Sequence, residues 1–305
     1  MAARIAVIGN INCDFVFRVP RLPRPGETLA GSAFFTAAGG KGANQAVAAA
    51  RLGAQVSFVG CVGADTTGAD MLSHLGADGV DISRVRTDPK EATGSALIMV
   101  QDSGENSIVV AFGANLAIGP EHLAEHRELL QNCDALMLQQ EMRIETVSEA
   151  IRIGKEAGCR VILDPAPARE DLPAAWREVD VLSPNETEAE SILNSLGLDA
   201  PSDLEAAAAL LRRQGPKAVA LKAAARGSFV ADGAGAVAVP SFPVEAVDST
   251  AAGDAYTAGL AVALCEGASL VEAARFGNAC GALAATRMGA QPSMPTRAEV
   301  EKLLG

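Results

Sequence analysis

Aromatic residues are scarce in this chain: 4% of the sequence, with one Trp, one Tyr and nine Phe. A platform that stacks unpaired nucleobases needs several exposed rings, so that mode of nucleic-acid binding is not expected. Basic residues are also in deficit, with 25 Lys and Arg against 37 Asp and Glu and a net charge of −12. No basic patch is present to overcome the repulsion a phosphate backbone would meet. The six cysteines, Cys13, Cys61, Cys133, Cys159, Cys265 and Cys280, are scattered with no close pair. That spacing suits neither a disulfide framework nor a zinc site, and it reads as reduced core residues in a cytoplasmic protein. Long apolar runs are missing too. Ala255–Cys265 falls far short of the ~20 residues of a membrane span, and Ile5–Ile8 is too short for a signal peptide, so a soluble protein without a membrane partner is expected.

Several enzyme signatures are absent. Gly40-Lys41 is followed by Gly42 where a P-loop needs Ser or Thr, and Gly40-x-Gly42 leads to Gln45 where a dinucleotide fingerprint needs its third glycine. No G-x-S-x-G elbow exists, and His74 sits in a helical stretch with no evident partner. His122-Leu123-Ala124-Glu125-His126 has the spacing of an inverted zinc-protease motif. It lies in the charge-dense run Glu121–Glu128, which reads as a solvated helix face.

What the chain does have is 49% hydrophobic residues over 305 positions, enough for two domains or one large α/β domain with an appendage. Short β-branched runs alternate with helical patterns. Strands are expected at Arg4–Gly9, Val56–Cys61, Ala135–Gln139, Val161–Asp164, Val179–Ser183 and Ala218–Lys222, with helices around Gly42–Leu52, Ile144–Ala157, Glu186–Leu193 and Asp203–Arg213. Continuous apolar strands between helices imply an α/β fold, a doubly wound and mainly parallel sheet covered on both faces. After Gly253 the chain turns helical, at Asp254–Cys265, Leu270–Thr286 and Arg297–Leu304.

Two stretches break the alternation. Phe15–Val19 and Thr28–Thr36 are extended runs joined by the turn Pro23-Arg24-Pro25-Gly26, and Gly94–Gln101 with Ser107–Phe112 reads as a hairpin. Four strands outside any βαβ unit can form a small β-sheet lid, which would exclude water from a site below it. Edge hairpins are the alternative. The chain thus reads as a single domain, 1–305, with a lid of about 15–37 and 94–112.

Three motifs carry chemistry. Gly39-Gly40-Lys41-Gly42-Ala43-Asn44 leads from a strand into a helix, so backbone amides can approach a ligand and Asn44 can present its amide; a plain glycine turn is the alternative. Asp248-Ser249-Thr250-Ala251-Ala252-Gly253-Asp254 opens an apolar helix with side chains small enough to leave the N–H groups of Ala252, Gly253 and Asp254 open to an anion. There Asp254 is either a helix cap or the base of a phosphoryl transfer, taking the proton of an attacking hydroxyl. Asn185-Glu186-Thr187-Glu188 opens another helix, either as a capping box or as two oxygens that hold Mg²⁺ through water.

The glycine motifs, with Gly9–Asp14, Pro25–Thr28, Asp164–Ala168, Pro184–Glu190 and Gly289–Ser293, occur in an order and spacing that resemble the ribokinase family of carbohydrate kinases over nearly the whole chain. The resemblance implies an ATP-dependent kinase acting on the 5-hydroxyl of D-ribose under a β-sheet lid, as a homodimer through the lids. Asp254 would be the general base, with the amides of Ala252 and Gly253 as anion hole. Asn12, Asp14, Gly40, Lys41, Asn44 and Glu141 match sugar-contacting positions. Asn185, Lys222, Ala223, Ala224, Ala225, Arg226, Gly227, Gly253 and Asn278 match nucleotide positions, with Glu188 tied to Mg²⁺. An activating K⁺ would sit at Asp248, Thr250, Ala284, Arg287, Gly289 and Ser293. A related kinase of 2-deoxyribose, fructose or a nucleoside would share the same base. The chain departs from the family where Ala224 replaces a glycine that can need positive φ, where Lys222 opens the nucleotide loop in place of Thr, and where Asp164 stands for a frequent Asn.

Overall fold

Along β1 (Arg4–Ile8) the side chains of Ile5 and Val7 enter one hydrophobic core and those of Ala6 and Ile8 enter another. A strand buried on both sides needs helices on both faces of its sheet, and the computed structural model has them. It describes residues 2–103, 105–169 and 172–305. After β1 come β2 (Asn12–Val19), β3 (Ala33–Gly39), α1 (Lys41–Arg51), β4 (Gln55–Gly63), α2 (Thr66–Ala77), β5 (Asp81–Asp88), β6 (Gly94–Gln101), β7 (Asn106–Ala111), α3 (Arg127–Gln131), β8 (Ala135–Leu138), α4 (Ile144–Ala157) and β9 (Arg160–Leu163). The chain continues through β10 (Val181–Leu182), α5 (Glu186–Ser195), α6 (Leu204–Arg212), β11 (Ala218–Lys222), β12 (Ser228–Asp232), β13 (Gly235–Val239), α7 (Ala252–Cys265), α8 (Leu270–Ala284) and α9 (Arg297–Leu304).

Nine strands form the main sheet in the order β13-β12-β11-β10-β9-β8-β1-β4-β5. From β11 to β5 the neighbours run parallel, and β12 and β13 extend one edge with antiparallel pairing. One core packs α1, α7 and α8 against the sheet, and the other packs α4, α5 and α6. Strand order reverses at β1, which pairs with β4 on one side and β8 on the other. A crevice opens outside the carboxyl ends of the strands at such a reversal. Helix α7 is apolar all round and buried along nearly its whole length, so it is a core helix rather than an amphipathic surface one.

The four strands outside the βαβ pattern do form a separate sheet, in the order β3-β2-β6-β7. Its first strand begins earlier than expected, at Asn12, while Thr28–Ser32 lies outside any strand and β3 begins at Ala33. Other expectations are corrected as well. The run Glu121–Glu128 is no solvated helix: it is two 3-10 turns and the start of α3, with His126 buried at 6% exposure and His122 Nδ1 accepting the Gly119 amide at 3.0 Å. Strand β10 has only two residues, although the Ser183 amide still donates to Leu163 O of β9 at 2.8 Å. Four buried and two half-buried cysteines are all free, as the spacing predicted.

Candidate active site

The crevice at the strand reversal gathers side chains from six elements. Asp254 stands in the first turn of α7 and is 5% exposed. It is not the cap of that helix: Ala251 holds the cap position, in the left-handed region at φ 59°, with no side-chain cap bond. The Asp254 carboxylate is instead held by α1, accepting from Asn44 Nδ2 at 2.9 Å and from Gln45 Nε2 at 3.1 Å. Burial raises its proton affinity and the neighbouring Asp164 raises it further, against the opposing pull of Lys41. Of the three amides expected to be open, that of Ala252 is engaged, donating to Ser249 O at 3.2 Å. The Gly253 and Asp254 amides have no acceptor among the described residues, as the first turn of a helix leaves them.

Of the residues expected to contact the sugar, β2 contributes Asn12 and Asp14 and the β3–α1 junction contributes Gly40, Lys41 and Asn44. Gly40 has φ 92°, and a Cβ there would meet Asn12 N at 2.8 Å. Only glycine lets the chain turn that close to β2. Glu141 follows β8 and is tied to the end of β1 by a hydrogen bond from Asn10 Nδ2, whose Oδ1 accepts from Gly42 N at 2.9 Å. Burial and the charges of Glu141 and Asp254 push the Asp14 carboxyl up to about 7, and burial also pushes Glu141 up. Lys41 is half-buried, and although desolvation opposes its charge, the surrounding carboxylates, Asp254 foremost, hold its pKa above the ordinary lysine value. A cavity of about 800 Å³ runs from Asp14, Val16, Phe35 and Ile98 of the small sheet to Asp248 and Gly289 of the main body.

On the nucleotide side, Asn185 and Glu188 form the capping box at the start of α5: Asn185 N and Nδ2 donate to Glu188 at 2.8 and 2.9 Å, and Glu188 N donates to Asn185 Oδ1 at 2.8 Å. Burial raises the Glu188 carboxyl. The loop Lys222–Gly227 is tight, with Ala223 N bonded to Gly227 O at 2.8 Å, and Ala224 does take a positive φ of 48°. Arg226 pairs with Glu186 near the surface, and Ala225 is exposed beside it. Asn278 donates to Val239 O and Pro240 O at 2.9 and 3.1 Å, fixing the exit of β13. The two remaining departures meet: Lys222 Nζ lies 2.9 Å from Asp164 Oδ2. At the cation positions, Asp248 accepts from Thr250 N and Oγ1 at 2.9 and 2.6 Å and from Gly289 N at 2.9 Å. Arg287 N donates to Ala284 O at 3.2 Å, the Arg287 guanidinium pairs with Glu299, and Ser293 Oγ donates to Ala290 O at 2.7 Å.

Sequence reasoning missed the residues that hold these groups in place. Asn115, 1% exposed, accepts the Ile11 amide at 2.9 Å and donates to Asn12 Oδ1 at 2.9 Å. Gln45 bridges Asp254 and Asp164, and its own Oε1 accepts from Gln139 at 2.6 Å. Asn10 ties Glu141 to Gly42. None of them belongs to a motif with chemistry of its own; their one signal is a run of amides, Asn10, Asn12, Asn44 and Gln45, inside apolar sequence.

A doubly wound sheet with a carboxylate and an open helix N-terminus in its switch-point crevice, beside a separate small sheet, defines a small-molecule enzyme of the α/β class. The chain belongs to the pfkB family of carbohydrate kinases, whose model matches residues 2–297. It is 40% identical over 304 residues to the ribokinase of Haemophilus influenzae, covering 100% of this chain and 99% of that protein. It is 41% identical over 300 residues to the ribokinase of Bacillus subtilis, covering 98% and 99%. The solved ribokinase of Arabidopsis thaliana, complexed with ribose and ATP, superposes with a TM-score of 0.91 at 36% identity, covering 100% and 99%.

Proposed function

We propose that this chain transfers the γ-phosphoryl group of ATP to the 5-hydroxyl of D-ribose, giving ribose 5-phosphate and ADP. The observation that carries the reading is the Asp254 carboxylate, buried, aimed by Asn44 and Gln45, and set in the first turn of a helix with two unengaged amides. In the transfer the sugar oxygen attacks the γ-phosphorus, Asp254 takes the hydroxyl proton, and the bond to the β-phosphate oxygen breaks with its electron pair leaving on ADP. The Gly253 and Asp254 amides donate to the charge that spreads over the phosphoryl oxygens. Their raised proton affinities suit Asp14 and Glu141 to bind vicinal hydroxyls, and Asn12 and Asn44 add amides that a sugar lacking a hydroxyl would leave unpaired.

The nucleotide lies, in this reading, along Asn185, Lys222 to Gly227 and Asn278. Among the described residues no cluster of three or more His, Cys, Asp or Glu is gathered for a metal. Glu188 with water and phosphate oxygens nonetheless suits Mg²⁺, which takes few protein ligands. When bound it would neutralise charge on the β- and γ-phosphates. The Asp248 carboxylate and the carbonyls of the 284–293 segment are oxygen donors that suit K⁺, with Asp248 tying Thr250 to Gly289. We further propose that the chain is one domain, 1–305, that strands within about 15–37 and 94–112 form its lid, and that the protein is a cytoplasmic homodimer. The dimer is supported by the outer face of the small sheet, where Phe34, Leu97 and Val109 are exposed at 55%, 39% and 63%.

An ATP-coupled assay across D-ribose, 2-deoxyribose, fructose and adenosine tests the reading. Ribose is expected to give the highest kcat/KM, and K⁺ to support a higher rate than Na⁺. A higher kcat/KM on another sugar would reassign the substrate; equal rates in the two salts would remove the cation site.

A further inference from the structure

Lys222 and Asp164 lie on different strands, at the carboxyl end of β11 and just past β9, and their side chains meet in the crevice. The ion pair is nearly dry: the Lys222 side chain is 11% exposed and that of Asp164 is 2% exposed. Three donors converge on Asp164 Oδ2, namely Lys222 Nζ at 2.9 Å, Gln45 Nε2 at 3.0 Å and Thr257 Oγ1 at 3.1 Å. The single hydroxyl proton of Thr257 serves either Asp164 Oδ2 or Gly253 O, which lies 3.0 Å away, and Thr257 Oγ1 is 3.2 Å from Ser183 Oγ. The carboxylate is held through Oδ2, its Oδ1 being buried without a partner among the described residues, and the held oxygen sets the position of the ammonium.

That direction is toward the helix N-terminus proposed as the anion hole. A Cβ built on Gly253 would lie 3.8 Å from Lys222 Nζ. The Lys222 backbone pairs with Asn185 at the capping box, and its amide donates to Pro184 O at 2.8 Å. The ammonium therefore spans from the nucleotide side to the amide of Gly253. Of its three N–H groups, one goes to Asp164 and one reaches Thr257 Oγ1 at 3.4 Å. The third has no protein acceptor among the described residues. Arg226, the other cation of this loop, is turned outward to Glu186. Lys41 is the other cation of the crevice, and it acts on Asp254, Asp164, Glu141 and Glu188. Stability does not account for the pair, because two buried charges gain little over a neutral pair of the same size.

We propose that Lys222 is a catalytic residue of the phosphoryl transfer, donating to the γ-phosphoryl oxygens as their bond to ADP breaks, and that Asp164 is the positioning residue that holds it over Gly253. This rests on the reading of the chain as an ATP-dependent sugar kinase. The lysine keeps its protons throughout; the hydroxyl proton still goes to Asp254 and the electron pair to ADP. A fixed cation there costs no reorganisation when the charge spreads.

Steady-state kinetics on Lys222→Met, Lys222→Arg, Asp164→Asn and the uncharged double variant Asp164→Asn/Lys222→Met test the proposal. Lys222→Met is expected to lose at least ~10-fold in kcat with the ribose KM within about twofold, and Lys222→Arg to recover part of the loss. Asp164→Asn is expected to lower kcat without raising the ribose KM. The double variant leaves no member of the pair buried without its partner, so its kcat is read free of an unpaired Asp164, and it is expected to show the same loss of at least ~10-fold. A double variant with wild-type kcat would show that Lys222 only neutralises Asp164, and would overturn the proposal. So would a Lys222→Met enzyme impaired only in the KM for ATP. A wild-type chain that turns over no sugar would overturn the kinase reading and this inference with it. An active wild type matched by Lys222→Met overturns the inference alone.

Discussion

The amide of Asn44 donates to Asp254 Oδ2 at 2.9 Å, joining the first helix after the small sheet to the helix that carries the proposed base. The two residues are 210 positions apart, and no local pattern relates them. This bond goes to Oδ2 and that from Gln45 to Oδ1, so each carboxylate oxygen is held by one amide and keeps a lone pair for a substrate.

Asp254→Asn keeps the volume but cannot take a proton, and its amide nitrogen no longer accepts from one of Asn44 and Gln45. It is expected to bind ribose normally by calorimetry and to lose at least ~10² in kcat, the lower end of what a general base contributes. Turnover near the wild-type value would take the base role away from Asp254.

Asn115 touches no substrate in the proposed arrangement, yet it holds Asn12 and the Ile11 backbone. Asn115→Ala strands the Ile11 amide in the interior, so a stability loss of about 1–3 kcal/mol is expected in urea unfolding, with a raised KM for ribose because Asn12 is no longer oriented. Unchanged stability together with unchanged KM would show that water replaces the amide.

Asp14 is pushed from its ordinary 3.8 to about 7 by burial and by Glu141 and Asp254. The folded chain therefore holds this proton more tightly than the unfolded one. The stability this provides is complete below pH 3.8 and is lost as pH rises through about 7. Unfolding free energy of the ligand-free protein is expected to fall across that window, and Asp14→Asn to flatten the decline. A wild-type slope equal to that of Asp14→Asn would place the proton elsewhere.

Ala224 holds a left-handed φ that costs an L-residue about 1–2 kcal/mol, whereas glycine costs about 0.4–1 kcal/mol through the unfolded chain. Ala224→Gly is thus expected to raise stability by up to about 1 kcal/mol. Ala220→Gly, in the fully buried centre of β11, should lower it by about 1 kcal/mol or more. A loss in both variants would contradict the strain at Ala224.

The main sheet was legible wherever strands are apolar on both faces, as at β1, β8 and β11. It was not legible at β5, whose sequence Asp81-Ile82-Ser83-Arg84-Val85-Arg86 alternates like a half-exposed edge, or at β12 and β13, which run antiparallel and follow no helix. The small sheet was readable because its extended runs are joined by the turn Pro23-Arg24-Pro25-Gly26 and by a hairpin loop, with no helix to place them in a βαβ unit. Asp254 was readable as a site residue from the small side chains before it. Its release from capping was not, because that depends on Asn44 and Gln45 arriving from a distant helix. Nor could Asp164 be linked to Lys222, since 58 residues, with strand β10 and helices α5 and α6, separate them.

That link bears on how such a sequence can change. Removing one member of a buried ion pair costs about 3–5 kcal/mol, against a total stability of about 5–15 kcal/mol for a domain. A lineage moving between a charged and a neutral version of this pair must then cross a poorly folded intermediate or change both codons together. Lys222 and Asp164 should therefore be inherited as one trait, and grafting either alone into a relative with the neutral pair should fail where grafting both succeeds.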